Sequence, residues 1–86
     1  MYKIEILDNA VWDLEDIYNY LYEITYNYDI SEKFINEVFE KYLYLQMFPN
    51  MYQNTYKDFK TIQIKSYKIF YKVDETKKEV TVYRIL

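Results

Sequence analysis

The chain has 86 residues with 11 basic and 14 acidic side chains, a net charge of −3, and no cysteine, histidine or glycine. This length predicts one domain over residues 1–86. The composition excludes disulfides and thiolate metal sites, histidine-based catalysis, and the glycine-rich loops that bind nucleotide phosphates. No apolar run approaches the roughly 20 residues of a membrane span, and the N-terminus alternates apolar and charged residues, so we expect a cytoplasmic protein. The sequence indicates no cofactor.

The net charge conceals an asymmetry between the two parts of the chain. Residues 1–50 carry ten acidic side chains and three lysines, whereas residues 51–86 carry four acidic and eight basic side chains. Such a chain folds into a domain with an oriented electric field. The basic part is therefore the candidate surface for a polyanion or an acidic partner.

The first third of the chain is predicted to form a strand and an amphipathic helix. Residues 2–7 alternate between apolar and charged side chains, which is typical of a half-buried strand, and Asp8 or Asn9 then offers a helix cap. Apolar residues follow at spacings of three and four, as on one face of a helix: Ala10, Leu14, Ile17, Leu21 and Ile24. The acidic residues off this face are interpreted as solvated rather than as metal ligands or an acid–base pair: Asp13, Asp16 and Glu23.

Aromatic residues on the same helix allow two interpretations. Tyr18, Tyr22 and Tyr26 form a column at spacings of four, which could be a stacking platform. We favour a wider apolar face, with the rings buried and the hydroxyls in water. Trp12 could anchor a partner, but a position at the rim of the core is the simpler interpretation.

A second helix is predicted to begin near Ser31 and to end before Pro49. Asp29 and Glu32 have the spacing of a capping box, and the residue before a proline disfavours helical geometry. Because the linker between the two helices is short, we expect them to pack as an antiparallel hairpin.

The remaining chain is predicted to be loop over residues 50–58 and then three strands, over 61–65, 67–73 and 80–86, with a turn at 75–78. The order is β-α-α-β-β-β. It predicts an α+β fold, with the helical hairpin packed on one face of a small, twisted, largely antiparallel sheet.

Four cations on the predicted strands are candidates for binding a target or a phosphate: Lys65, Lys68, Lys72 and Arg84. The three lysines are predicted to point away from the core. The direction of Arg84 stays open, because Val82 lies two residues before it and shares its face. The alternative is that these side chains only solvate the sheet and blunt its edges.

Five segments resemble the RelE/ParE superfamily of toxins from type II toxin–antitoxin systems, and the ParE-like members in particular. They are YKIEI at 2–6, AVWDLEDI at 10–17 followed by Tyr20, Leu45 with Pro49, YKIFYKVD at 67–74 and VTVYRIL at 80–86. The family patterns are an opening strand, A-x-x-D-L-x-x-I-x-x-Y, L-x-x-x-P, and a hairpin Y-R-I-x-Y-x-V-D … V-x-I-x-R-I-L. The resemblance implies a growth-inhibiting toxin held inactive by a cognate antitoxin.

The resemblance also implies two kinds of target. RelE-type toxins cut mRNA in the ribosomal A site using lysines and arginines, whereas ParE-type toxins bind DNA gyrase and arrest it. Here Thr61 and Gln63 stand where RelE-type enzymes place lysines, and Lys68 stands at the arginine of the Y-R motif. If the protein is a ribonuclease, Lys65, Lys68 and Arg84 are its candidate catalytic residues.

Three functions therefore stay open at this point. The expected one is a ParE-like inhibitor of gyrase that has no chemistry of its own. The first alternative is a RelE-like, ribosome-dependent endoribonuclease without a metal. The second is an inactive toxin that still binds antitoxin, since the family usually continues past the last strand with a short tail and this sequence ends at Leu86.

Overall fold

The computed structural model describes residues 1–52 and 54–86, with seven elements in chain order. They are β1 (Lys3–Ile6), α1 (Asp8–Thr25), α2 (Tyr28–Met47), β2 (Asn54–Tyr56), β3 (Phe59–Ile64), β4 (Tyr67–Asp74) and β5 (Glu79–Ile85). The strands form one sheet in the order β1-β5-β4-β3-β2, in which β1 runs parallel to β5 and the other pairs are antiparallel. The predicted α+β order is confirmed.

The predicted loop over residues 50–58 was wrong in part, because it contains β2. This strand has three residues and pairs with β3 through an irregular register. A segment that short cannot show the alternation by which longer strands are recognised in a sequence. It adds a fifth strand at one edge of the sheet.

The core lies between the helical hairpin and one face of the sheet. Its largest fully buried side chains include Tyr71, Phe34 and Leu45. Buried Ser31 ties the helices together, since its hydroxyl donates a 2.9 Å hydrogen bond to the carbonyl of Tyr18. Across residues 1–52 and 54–86, no helix combines the length and apolar character needed to cross a lipid bilayer.

Helix α1 extends past the end of the sheet, and this corrects one prediction. Near its start the N–H of Leu7 bonds to the carbonyl of Val82, and one and a half turns later Asp13 lies beside Ile85 at the end of β5. Twelve more helical residues follow, or about 18 Å. Ile24, predicted to be buried, lies in this last part of the helix and is 57% exposed.

Both helix starts differ from the predicted caps. The cap position of α1 is Leu7, which makes no side-chain cap, so neither Asp8 nor Asn9 fills that role. Helix α2 begins at Tyr28, three residues before the predicted start, because the Asn27 side chain accepts a 2.9 Å hydrogen bond from the N–H of Asp29. The end of α2 at Met47, before Pro49, is as predicted.

In the turns, residues other than glycine adopt the left-handed backbone geometry that glycine usually provides. Their φ angles are 51° to 54°, at Tyr26, Lys57, Lys65 and Lys78. This geometry brings Cβ close to the following carbonyl and costs a non-glycine residue about 1–2 kcal/mol. Tyr26 takes it at the end of α1, where its N–H bonds to the Tyr22 carbonyl, and its ring is 83% exposed rather than buried as predicted.

Replacing Tyr26 with glycine is expected to raise the free energy of unfolding by about 0.5–1 kcal/mol. Glycine removes the left-handed strain, partly offset by its larger entropy in the unfolded chain. Urea denaturation followed by circular dichroism measures the change. Tyr26→Ala is the control, since it loses the same ring but keeps Cβ. An equal gain in the alanine variant would contradict the explanation by strain.

Candidate functional site

The best-defined polar arrangement of the sheet is a bidentate ion pair between Asp13 and Arg84. The Nε and Nη2 atoms of Arg84 lie 2.7 and 2.8 Å from the two carboxylate oxygens of Asp13. The backbone N–H of Ile85 donates a third hydrogen bond, of 2.9 Å, to the same carboxylate. The prediction that Asp13 faces water was wrong, because its side chain is only 12% exposed.

The end of the neighbouring strand explains why a carboxylate occupies this position. Strand β1 stops at Ile6, opposite Val82, so among the described residues no strand pairs with the last residues of β5 on that side. Helix α1 passes there, and Asp13 satisfies the N–H of Ile85 that β1 leaves unpaired. Unpaired backbone groups that are shielded from water cost free energy, so this carboxylate completes the edge of the sheet.

A β-bulge sets the direction of Arg84, which the sequence left open. In the ladder Phe70 pairs with Arg84 but Tyr71 pairs with Val82, so Tyr83 is an extra residue in β5. The bulge interrupts the alternation, so that Val82 and Ile85 are both buried while Arg84 is exposed. Bulges commonly redirect a side chain in this way.

The pair shifts both protonation equilibria toward the charged forms. The hydrogen bonds from Arg84 are the largest cause that lowers the pKa of Asp13, and they outweigh the opposing effect of its burial. The N–H of Ile85 lowers it further. The same hydrogen bonds raise the pKa of Arg84. Both groups are therefore charged throughout the physiological range.

Two of the predicted cations are also near carboxylates. Lys65 was predicted to continue a strand, but β3 ends at Ile64 and Lys65 lies in the turn, with its ammonium 3.7 Å from Glu37. The Lys72 ammonium lies 3.4 Å from Asp58. It also stands over two aromatic rings of the open sheet face, 4.5 Å from the centre of Phe59 and 5.4 Å from that of Tyr83.

Lys68 differs from the other three candidate residues. It is exposed and pairs with Gln63 in the ladder, and its backbone N–H and carbonyl bond to Leu86. In the part of the chain that the structure describes, its ammonium forms no ion pair. The candidate residues thus lie on or beside β4 and β5, and over residues 1–52 and 54–86 Lys68 is the one candidate cation without a carboxylate partner.

Sequence reasoning missed Asp13 and the two aromatic rings beneath the Lys72 ammonium, those of Phe59 and Tyr83. Phe59 packs edge-on against Phe70 and Tyr83, with ring centres 6.4 and 5.1 Å apart. The signal for Asp13 was present, because it is the aspartate of the A-x-x-D-L-x-x-I pattern. Its role needed the long-range contact with β5, which helical periodicity does not contain.

Comparison with known proteins identifies the family. The sequence model described as the ParE toxin of the type II toxin–antitoxin system, parDE, matches residues 4–86. The chain belongs to the ParE toxin family. No curated protein sequence matches this toxin. Its predicted membership of the RelE/ParE superfamily is confirmed, as is its function as a ParE-like toxin component.

Solved structures agree with the toxin's fold. A chain of the chromosomal ParDE system from P. aeruginosa superimposes with a TM-score of 0.80 at 20% identity, covering 99% of this toxin and 94% of that chain. A chain of the toxin–antitoxin complex RelBE2 from Mycobacterium tuberculosis superimposes with a TM-score of 0.66 at 15% identity, covering 98% of this toxin and 94% of that chain. A chain of the intact E. coli RelBE toxin–antitoxin complex superimposes with a TM-score of 0.66 at 16% identity, covering 99% of this toxin and 94% of that chain.

Proposed function

We propose that this toxin acts as a ParE-like inhibitor that binds DNA gyrase and arrests it in the cytoplasm, without cutting a substrate itself. The observation that carries the proposal is the Asp13–Arg84 pair. Both carboxylate oxygens are engaged by the guanidinium, so the arginine that a ribonuclease would direct at a phosphate is committed to holding α1 against β5. An arginine fork used in this way serves structure.

The neighbouring residues support the same proposal. Stabilising the charge that develops at a phosphate requires several cations aimed at one point. On the open face of the sheet Thr61 and Gln63 are neutral, Lys72 lies against Asp58, and Lys68 is a point charge without the fork of an arginine. The chain also lacks histidine, the commonest general base.

We also propose that a cognate antitoxin holds the toxin inactive. The three similar structures are described as toxin–antitoxin systems or complexes. An antitoxin segment that orders as it wraps the toxin would bring acidic side chains to the basic strands, on which Lys68 is an exposed cation. The charge asymmetry of the chain supports this orientation.

Purified toxin is expected to stop gyrase from supercoiling a plasmid and to trap cleaved DNA on the enzyme. The measurement is agarose electrophoresis of plasmid incubated with gyrase, ATP and increasing toxin, with heat-denatured toxin as the control. Unaltered supercoiling together with no trapped DNA would contradict the proposal. Growth arrest on expression separates this function from that of an inactive toxin that only binds antitoxin.

A ribonuclease remains the second candidate because Lys68 is exposed beside Gln63 on the open sheet face. Toeprinting on translating ribosomes distinguishes the two functions. We expect no cuts in the A site. Cuts that appear with the toxin and disappear with Lys68→Ala would favour the RelE-like mechanism instead.

A further inference from the structure

The overhanging end of the helical hairpin carries a cluster of four tyrosines, which we call the hairpin tip: Tyr18, Tyr22, Tyr26 and Tyr28. The rings of Tyr22 and Tyr28 stack with their centres 3.9 Å apart and 11° between their planes. Tyr26 stands edge-on to Tyr22 at 6.4 Å, and Tyr18 is tilted against Tyr28 at the same distance. The cluster forms one continuous aromatic surface.

The hairpin tip contributes little to the core of the protein. Tyr26 is 83% and Tyr28 56% exposed, and none of the four belongs to the buried core. The tip lies more than one helical turn beyond Asp13, the residue of α1 that contacts the end of β5. Exposed tyrosines clustered on a rigid helical element are typical of protein-binding surfaces, because a ring provides a large contact area for little loss of entropy.

The charges beside the rings indicate the chemistry of the partner. Between residues 18 and 33 the chain has three carboxylates, on Glu23, Asp29 and Glu32, and one lysine, Lys33. Glu32 accepts a 3.0 Å hydrogen bond from the Tyr18 hydroxyl, which joins this carboxylate to the aromatic cluster. A surface of aromatic faces with negative charge at its edge complements arginine and lysine and repels nucleic acid.

Elsewhere in the molecule aromatic rings already have cations above them. Lys72 lies 4.5 Å from the centre of Phe59, and Lys78 lies 5.3 Å from that of Tyr2. Over the described residues, no lysine or arginine stands above a ring of the hairpin tip. The tip therefore offers unoccupied aromatic faces to a cation from another protein.

We propose that the hairpin tip docks a segment of a partner protein that presents arginine or lysine side chains. An arginine would stack on the exposed ring of Tyr28 while its guanidinium meets the carboxylates of Asp29 and Glu32. If the proposed function holds, that partner is the toxin's target, and the tip is the surface that reaches it. Binding of an arginine peptide does not depend on which target the toxin has.

The first arm of the test titrates toxin with an octa-arginine peptide and measures the dissociation constant by calorimetry. Tyr28→Ala leaves the net charge unchanged and is expected to weaken binding at least about tenfold, as for a buried aromatic anchor. Tyr20→Ala is the matched control, because Tyr20 is a similarly exposed tyrosine of α1 (52%) outside the cluster. Circular dichroism verifies that both variants are folded.

The second arm repeats the gyrase assay with the same variants. Tyr28→Ala is expected to need at least about tenfold more toxin for half-inhibition, and Tyr20→Ala the wild-type amount. Equal peptide affinity in both variants, or self-association of the toxin abolished by Tyr28→Ala, would overturn the proposed docking site. A tip-dependent affinity for the peptide without any gyrase inhibition would instead refute the proposed target and leave the site standing.

Discussion

Replacing Asp13 with alanine is expected to lower the free energy of unfolding by about 2–3 kcal/mol at neutral pH. The substitution removes two charge-assisted hydrogen bonds to Arg84 and leaves the N–H of Ile85 without an acceptor. Hydrogen bonds to charged groups contribute about 1.5–3 kcal/mol each, but Arg84 is 45% exposed and regains water, so the sum is smaller. Urea denaturation followed by circular dichroism measures the loss.

The control for this variant lies one turn along the same helix. Asp16 is exposed on α1, and its replacement by alanine is expected to change the free energy of unfolding by less than about 0.5 kcal/mol. Arg84→Lys keeps the positive charge but cannot form the bidentate contact. Its loss of stability should therefore lie between those of Asp13→Ala and Asp16→Ala. Equal losses for Asp13→Ala and Asp16→Ala would show that the pair has no structural role.

The pH dependence provides a second readout of the same pair. The pKa of Asp13 is lower in the folded than in the unfolded chain, mainly because of the hydrogen bonds from Arg84. The stability that the ionised Asp13 carboxylate contributes is therefore complete when the pH is above its pKa in the unfolded chain, about 3.9. It is lost as the pH falls through the pKa of Asp13 in the folded protein. The difference in the free energy of unfolding between wild type and Asp13→Ala should be constant from about pH 5 to about pH 7 and should shrink below about pH 4.

Much of the fold could be predicted because each long element repeats its own period. Strand β4 alternates over eight residues, β5 alternates as far as its bulge, and the apolar face of α1 recurs for most of its length. Periodicity describes one element at a time. The periodicity of α1 does not show where its contact with the sheet ends. It therefore predicted that Ile24 is buried, whereas Ile24 is exposed.

The candidate site was less predictable because its geometry depends on contacts between distant parts of the chain. Arg84 and Asp13 are 71 residues apart, and the direction of Arg84 is set by the extra residue Tyr83. Alternation assumes a regular strand and fails at a bulge. Lys65 lies one residue beyond its strand, in a turn whose left-handed geometry is usually marked by glycine, which this chain lacks.

Replacing Tyr71 with alanine is expected to lower the free energy of unfolding by about 4 kcal/mol, more than any other substitution proposed for this toxin. Tyr71 is fully buried at the centre of β4, and deleting a buried aromatic ring leaves a cavity that the surroundings fill only in part. A domain of this size is stabilised by about 4–13 kcal/mol in total, so the variant should be largely unfolded in modest denaturant. Circular dichroism in a urea series measures the shift of the midpoint.

The hydroxyl of Tyr71 can be separated from its ring by comparison with a second buried tyrosine. The Tyr71 hydroxyl donates a 3.0 Å hydrogen bond to the carbonyl of Pro49, whereas the buried hydroxyl of Tyr42 has no hydrogen-bond partner among the described residues. Tyr71→Phe should cost about 1–2 kcal/mol, since it leaves a buried carbonyl unsatisfied. Tyr42→Phe should instead be neutral or stabilising by up to about 1 kcal/mol, because it removes a polar atom whose burial is uncompensated.

The opposite signs make the comparison decisive, because both variants remove one oxygen atom from a buried tyrosine. Burial, with a smaller effect of the Asp13 carboxylate, raises the pKa of Tyr42 to about 12, because both disfavour the negatively charged phenolate. A group whose pKa is raised by folding loses its contribution above the unfolded value of about 10, so Tyr42→Phe should also reduce the loss of stability at alkaline pH. A loss in Tyr42→Phe equal to that in Tyr71→Phe would show that Tyr42 has a hydrogen-bond partner in solution.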